Sequence, residues 1–583
     1  MAEERAGAKP QPTRRWSLAA GDASAEERLV REIGVRRLLA RLLVNRGLRE
    51  PDVANAFLGA SLTTHLRSPM LFGEMRPAAA RLLDAIRKRE PIAIYGDYDV
   101  DGITSSAALV LFLREAGCEP LLHIPHRVKD GYGLKSDALR DLASRGARLV
   151  ITADCGAAAH AEVAEASRAG LELIICDHHQ NPAVRPPACA VLNPVVPDAG
   201  FPFAGLCAAG VVFYLLLGTR MLMRESGATG PDLRRYLDLV ALGTVADMVP
   251  ILEENRVLVK YGLREMARGG RAGIRALLGI GVAGAPTVDT LGFQLGPRLN
   301  ASGRLADARR AVELLVSDDD SVVRRIAAEL DGQNRERRDI EDVMFDEADQ
   351  RIRDMADSAA RRSFVLASEG WHAGVVGIVA SRLVERYYRP MVLLALEGDV
   401  ARGSARGIPA IHLFEALRKC AALLERFGGH RMAAGLTVRA DRLADFAARF
   451  EAVVAGGCSD DGFIPEIAID DRIDLDSIDG ATLEDIERLE PYGQGNPRPL
   501  FLAEALDVIS SRIVGDRHLK LALRKRGGRK TFDAIAFRRA ELQPPQGASI
   551  DVVFSPEVSR WDGIGSIQLV LRDLRKSVAN STG

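Results

Sequence analysis

The feature that most constrains this chain is the placement of acidic and histidine residues directly after short apolar runs. Residues 92–95 lead into Gly96-Asp97-Tyr98-Asp99-Val100-Asp101-Gly102, residues 149–152 into Ala153-Asp154-Cys155-Gly156, and residues 173–176 into Asp177-His178-His179. A longer apolar stretch, 236–245, of helical length, ends at Ala246-Asp247. Amphipathic segments at 103–116 and 157–169 predict helices between these runs, and 121–124 adds another short strand. Short apolar strands alternating with such helices predict βαβ units and a parallel sheet. In that architecture the carboxyl ends of the strands form the ligand site, so the acids and histidines are expected to meet there.

A single Asp after a strand is ordinarily a helix N-cap, and Asp177 alone carries no more than that. Acids at three strand ends, joined by Asp247, call for another account. Carboxylates gathered in one place repel one another and cannot all ionise without a cation. An oxygen-rich set with one or two imidazoles favours Mn²⁺ or Mg²⁺ over a thiolate-bound Zn²⁺. Two such ions suit in-line displacement at phosphorus.

The rest of the chain divides by pattern. Residues 1–15 are polar and Pro/Ala-rich, a loose tail, and 25–75 are helical in pattern. Residues 321–362 are charge-rich with spaced apolar positions and predict one helix of about 60 Å, either a surface helix or a rigid linker between domains. A second α/β segment spans 363–455, acidic loop-rich residues follow at 456–490, and the last 80 or so are strand-like, as in a small β-barrel. With 583 residues, the prior is about four domains. The net charge of −1 shows no global basic excess, so any field that attracts nucleic acid must be local.

Seven cysteines without a CxxC pair fit a reducing, cytoplasmic setting. The start, MAEERAGAKPQPTRRW, has no apolar core of a secretory leader. The longest apolar run, 206–218, is shorter than the roughly 20 residues of a membrane span. It reads as a buried helix, and no membrane association is expected.

Three further clusters bear on binding. Phe427-Gly428-Gly429-His430 opens a GGHxxAAG pattern in which glycines permit close approach to a ligand and His430 can donate to a phosphate oxygen. Gly296-Pro297-Arg298-Leu299-Asn300-Ala301-Ser302-Gly303-Arg304 reads as a glycine-rich loop. Its guanidinium forks match phosphate geometry, although solvated arginines on a turn are the ordinary reading. Basic stretches at 512–520 and 524–530 suit single-stranded nucleic acid on a barrel, or a solvated hairpin. Trp561 and Phe537 are either stacking aromatics or core.

GDYDVDG, TADCG, CDHH and GTVADMVP resemble, in order, the four motifs of the DHH phosphoesterase superfamily. The resemblance implies Asp99, Asp101, Asp154, His178 and Asp247 as metal ligands, with Asp154 bridging two ions and His179 facing the scissile phosphate. Some branches carry a histidine where this chain has Tyr95; here Asp97 would supply or support that ligand, as in the RecJ branch. GGHRMAAG resembles the DHH-associated substrate-binding domain, and GSARGI is a looser match to its GSGRSI loop. GPRLNASGR, HRVKDGYGL and PYGQGNP resemble signatures of the RecJ family of single-strand exonucleases, over roughly residues 75–575. That resemblance implies that Arg127, Arg298, Ser404 and Arg406 grip backbone phosphates, including a 5′-terminal one.

The expected fold is therefore α/β and multidomain. An N-terminal tail and helical region (1–75) precedes a parallel-sheet DHH domain (76–320), a connecting helix (321–362) and a DHH-associated α/β domain (363–458). A linker and OB-like nucleic-acid-binding barrel close the chain (459–583). The expected function is 5′→3′ hydrolysis of single-stranded DNA to 5′-mononucleotides in DNA repair and recombination. Two divalent ions are implied, with a monomeric chain, and a helicase and a single-strand-binding protein as partners. A DHH phosphodiesterase or pyrophosphatase for small substrates and a non-catalytic replication scaffold are the alternatives; the full set of acids and histidines argues against the scaffold.

Overall fold

The structure is a computed structural model that describes residues 14–577 except 128, 181–183, 197, 282–283 and 560–565. Trp561 and most of the N-terminal tail lie outside the described residues.

Five parallel strands form the first sheet: β1 (Ile92–Gly96), β2 (Leu121–His123), β3 (Leu149–Ala153), β4 (Glu172–Cys176) and β5 (Ala190–Leu192). Their order is β2-β1-β3-β4-β5. The chain leaves β1 to one side and returns on the other, so a crevice opens at the carboxyl ends of β1 and β3. The register aligns those ends. Gly96 pairs with Ala153, Ala153 with Cys176 and Cys176 with Leu192. The ladder runs one residue further, because the N–H groups of Asp97, Asp154 and Asp177 donate to Ala153, Cys176 and Leu192. The sheet thus delivers its three acids level with one another.

Both faces of the sheet are covered by apolar helices and loops. Helix α1 (Val100–Glu115) is buried over most of its length. The apolar run expected as a buried helix is the start of α2 (Ala208–Glu225), and α3 (Leu237–Ala246) is likewise inside. The GPRLNASGR segment is not a loop: it forms α4 (Gly296–Leu305), entered through a π-helical turn at Leu291–Leu295. Pro297 sits in the first turn, where its missing N–H costs nothing. Gly303 is required by packing, since a Cβ there would lie 2.5 Å from the Tyr98 carbonyl oxygen.

The long helix is α5 (Asp320–Asp354), 35 residues capped by Asp319, whose side chain accepts from the N–H groups of Ser321 and Val322. It buries Val323, Ile326 and Leu330 in the first core and Met344, Ala348 and Ile352 in the next, so it is a linker fixed at both ends. It stops eight residues before the expected 362, where the backbone turns extended at Met355.

The second domain holds β6 (Phe364–Ser368), α6 (Val376–Tyr387), β7 (Met391–Glu397), β8 (Val400–Arg406), β9 (Arg426–Gly429) and β10 (Ala433–Arg439). Its sheet order is β9-β10-β8-β7-β6, with only β6 and β7 parallel. The C-terminal strands β11 (Phe501–Val514), β12 (His518–Lys525), β13 (Thr531–Ala536), β14 (Ser549–Ser559) and β15 (Ser566–Lys576) run in the order β11-β12-β13-β15-β14. Pairing of β14 back onto β11 closes a five-stranded barrel of OB type.

The N-terminal region is part of that barrel's packing. Leu39, Leu42, Leu43 and Phe57 share one apolar cluster with Phe501, Leu521 and Phe554, and strand Arg15–Leu18 pairs in parallel with Glu466–Ile469.

Candidate active site

The turn after β1 puts three acids into the crevice. Asp99 caps α1, accepting from the N–H groups of Asp101 and Gly102 at 3.0 and 3.1 Å. Asp101 is buried and accepts from the N–H groups of Ala208 and Ala209 at 2.6 and 2.9 Å, at the start of α2. The positive end of that helix fixes the carboxylate. Asp154 leaves β3 with φ +71, a left-handed conformation rare outside glycine and common at functional sites.

These side chains converge. His178 Nε2 lies 3.3 Å from Asp154 Oδ1, 3.5 Å from Asp247 Oδ2 and 3.8 Å from Asp101 Oδ2. Donor atoms of Asp97, Asp99 and Asp154 form a second group, and those of Asp154, His178 and His179 a third, each within 4.8 Å. Asp154 belongs to two groups and His178 to two.

The electrostatics are those of a crowded anion site. Burial pushes the Asp97 and Asp154 carboxyls well up, and neighbouring carboxylates push them further. Burial raises Asp101 as well, and burial together with Asp101 and Asp99 pushes Asp247 up to about 9. Burial holds His178 down, as a neutral imidazole with a free lone pair. Asp97 Oδ1, Asp154 Oδ1 and His178 Nε2 are buried and have no hydrogen-bond partner. Orphaned buried acceptors of this kind are costly, and divalent cations would satisfy them. The donor set of carboxylate oxygens and imidazole fits Mn²⁺ or Mg²⁺.

His179 is held differently. Its Nδ1 lies 2.8 Å from Asp177 Oδ1 and 2.9 Å from the Tyr132 hydroxyl. Burial would lower its pKa, but the bond to Asp177 and the surrounding carboxylates raise it. Asp177 also accepts from the N–H groups of His178, His179 and Ala157, so it orients both histidines. Tyr132 donates to the Asp154 carbonyl oxygen at 3.1 Å. In the sequence alone Asp177 reads as a cap, and Tyr132 gives no signal beyond its place in HRVKDGYGL.

A second cluster, of opposite charge, adjoins the first. Arg127 lies over the Tyr98 ring, 4.7 Å from its centroid, and its charge acts on Asp97. It also acts on Arg304 and Arg406. Burial and then the charges of Arg127, Arg337 and Arg406 push Arg304 down to about 9; burial followed by Arg127 lowers Arg406. Among the described residues Arg304 donates to the Gly374 carbonyl and Arg406 to that of Ala405. Among the described residues none of Arg127, Arg304 and Arg406 forms an ion pair. Three cations without carboxylate partners call for an anionic ligand.

The second domain completes this cluster. Gly377 near the start of α6 leaves the room that Arg406 and Ser404 occupy, since a Cβ would lie 2.8 Å from Arg406 Nη2 and 3.2 Å from Ser404 Oγ. Ser404 and Arg406 on β8 are in register with Gly435 and Ala433. The hairpin joining β9 to β10 presents Gly428, Gly429 and His430, all exposed. Gly429 has φ +142, and a Cβ there would meet the Ala433 carbonyl at 2.5 Å.

Arg298 does not join them. Its guanidinium is taken up by Asp331 on α5 and by the carbonyl oxygens of Gln294 and Ile280. The sequence expectation that it grips a phosphate gives way to a bracing contact with the long helix, because α4 turns Arg298 and Arg304 to different neighbours. Asn300 keeps a buried Oδ1 without a partner. On the barrel, part of the basic hairpin is neutralised: Lys525 pairs with Asp474 and Arg526 with Asp507. Phe537 is 56% exposed, which removes its core reading.

The comparisons with known proteins agree with this layout. Residues 91–244 match the DHH family, N-terminal domain, residues 361–456 the DHHA1 domain, and residues 469–573 the RecJ OB domain. The chain is 37% identical to the single-stranded-DNA-specific exonuclease RecJ of Dickeya dadantii, over 92% of this chain and 96% of that protein. The Bacillus subtilis RecJ is 35% identical over 96% of this chain and 70% of its own length. Among solved structures, RecJ in complex with Mn²⁺ from Thermus thermophilus superimposes with a TM-score of 0.82 at 30% identity, covering 97% of this chain and 80% of that one. The Mg²⁺ complex from the same organism gives a TM-score of 0.77 at 29% identity, covering 97% of this chain and 79% of that one. A shared domain order, near-complete coverage and a common fold together place this chain in the RecJ exonuclease family.

Proposed function

We propose that this chain is a single-strand-specific 5′→3′ exodeoxyribonuclease that releases 5′-mononucleotides, one internucleotide phosphodiester at a time. The observation that carries the reading is the juxtaposition of a buried carboxylate–imidazole cluster with an unneutralised arginine cluster, joined through Arg127 and Tyr98. One charge pattern suits divalent cations and the other suits phosphates.

Asp97, Asp99, Asp101, Asp154, His178 and Asp247 would hold two Mn²⁺ or Mg²⁺ ions, with Asp154 shared between them. Bound there, the ions supply Lewis-acid charge and a nucleophile active at neutral pH. The protein's own groups do the positioning. Arg127, Arg304, Arg406 and Ser404 orient the terminal phosphate, and His430 with Gly428 and Gly429 lines the same edge of the second domain. His179 has its Nδ1 committed to Asp177, which leaves Nε2 to donate to a phosphoryl oxygen as charge builds on it. The Tyr132 hydroxyl, 2.9 Å from the same Nδ1, helps to fix that edge of the ring.

A cleft of about 500 Å³ lined by Asp342, Arg382, Asp516, Arg517, Arg538 and Glu541 separates α5 from the barrel. It would give a single strand a polar route between the barrel and the second domain. The reading carries with it action on DNA in the cytoplasm, as a monomer, alongside a helicase and a single-strand-binding protein. No helix among the described residues is long and apolar enough to cross a membrane.

The test uses 3′-labelled oligonucleotides, single-stranded or annealed, with Mn²⁺ or with EDTA. Shortening from the 5′ end, on the single strand only and lost in EDTA, is the expected result. Turnover of a cyclic dinucleotide or pyrophosphate with intact oligonucleotide would overturn it.

A further inference from the structure

Two large apolar side chains stand exposed on segments that adjoin the end of α3, where Asp247 sits, each on unusual backbone. Met248 directly follows Asp247, is 73% exposed and has φ +60, a conformation a non-glycine residue rarely takes. Phe293 is also 73% exposed, at the centre of the π-helical turn Leu291–Leu295. Leu291 and Leu295 at its two ends are fully buried, so the turn is anchored on both sides and its middle residue is held outward. Single π-turns of this kind concentrate at functional sites.

The turn is fixed against the end of α3. A Cβ on Gly292 would lie 3.6 Å from Val245 Cγ1, and one on Gly296 3.5 Å from Ala246 Cβ, the two residues before Asp247. From Met248 the chain runs to Ile251, whose N–H donates to the Gln494 carbonyl at 2.7 Å. That places Phe293 and Met248 on the wall between the carboxylate cluster and the loop leading into the barrel. The ligand passing along this wall in the exonuclease reading is an unpaired strand, and each of its bases has a π-face free to stack.

We infer that Phe293, with Met248 on the adjoining segment, is a base-stacking step on the strand's path between the carboxylate cluster and the barrel. The inference rests on the single-strand exonuclease reading. Stacking needs no hydrogen-bond readout, so the step takes any base, as an exonuclease that digests arbitrary sequence requires. Two exposed side chains on neighbouring segments suit a base better than a protein partner, which needs a broad apolar face.

The experiment compares the full chain with its Phe293→Ala, Phe293→Leu and Phe293→Trp variants on single-stranded oligonucleotides with Mn²⁺. Stacking predicts that Phe293→Ala raises KM about tenfold while kcat moves less than twofold. Trp keeps the wild-type KM, and Leu, which restores bulk without a π-face, does not. Oligonucleotides with 2-aminopurine at successive positions, bound to Asp154→Asn protein, report the contact directly. One or two positions are quenched, and adding Phe293→Ala relieves the quench there alone. An unchanged KM in Phe293→Ala, Leu performing as well as Trp, or an unaltered quench pattern overturns the inference. Intact oligonucleotide with the wild-type chain would instead remove the exonuclease reading beneath it.

Discussion

Asp154 concentrates the strain of the site in one residue. It is left-handed at φ +71, buried, flanked by four carboxylates and left with an unpartnered Oδ1. Replacing its charge should relieve the metal-free protein and disable the metal-loaded one. Asn tolerates the left-handed conformation, so Asp154→Asn is expected to lose hydrolysis to background while raising the metal-free Tm by roughly 3 °C. Calorimetry in EDTA checks the stability and the oligonucleotide assay the activity; a lower Tm would remove the argument from strain. The same crowding sets a pH dependence. A carboxyl raised on folding favours the folded state fully below its unfolded pKa near 4, and that contribution is lost as pH rises through the folded value. For Asp247 the window runs up to about 9. The metal-free Tm should therefore fall between pH 5 and 9, and saturating Mn²⁺ should flatten the slope; equal slopes with and without metal would contradict this. On the cationic side, Arg406→Ala should raise KM for a 5′-phosphorylated strand roughly 10- to 100-fold, the worth of a charge-assisted bond. Arg406→Lys should recover only part, because an ammonium lacks the planar fork.

At the level of elements, the parallel sheet was legible because its strands are short apolar runs that each end in a polar turn. Residues 92–95, 149–152 and 173–176 fall within one residue of β1, β3 and β4. Their common polarity followed from the βαβ beat alone. The segment 296–304 was not legible, since four polar residues among glycines read as a loop. Its helix depends on Pro297 at the first turn and on a contact with Tyr98, about 200 residues earlier, that no local pattern records. That contact gives a prediction. Gly303→Ala would put a Cβ 2.5 Å from the Tyr98 carbonyl and lift α4 from the turn that carries Asp97, Asp99 and Asp101. Overpacking of this kind costs about 1–3 kcal/mol, and misplaced ligands should lower kcat about tenfold or more. Circular dichroism should show the fold retained. Full activity in Gly303→Ala would mean that α4 does not help to place the acids.

Across the whole molecule, the closure between the chain's two ends is what the sequence concealed. Periodicity announces helices at 25–75 and strands after 500, but nothing local says that Leu39 and Phe57 share a core with Phe501 and Phe554. Arg256 ties that shared body to the first domain. It is 1% exposed on the helix Glu253–Ala267, and its guanidinium donates to the carbonyls of Phe57, Leu489, Pro491, Arg488 and Glu490. It also stacks 3.7 Å over the Phe57 ring. Among the described residues no carboxylate is a hydrogen-bond partner of Arg256; carbonyl dipoles solvate the charge, and burial pushes its pKa down to about 9. Arg256→Met keeps the apolar stem and removes every donor, stranding carbonyls at two junctions, a loss of about 3–5 kcal/mol. The sheet and its acids lie outside that junction, so the cost should fall on coupling between bodies. Differential scanning calorimetry should then resolve an early transition for the barrel with the N-terminal helices, and limited proteolysis should cut first in the segments around 488–497. KM for long strands should rise while a dinucleotide is still hydrolysed, because only the long substrate needs the barrel held in line with the cleft. A single transition at the wild-type Tm would show that the two bodies are held together without Arg256, and the shared apolar core would then carry the closure alone.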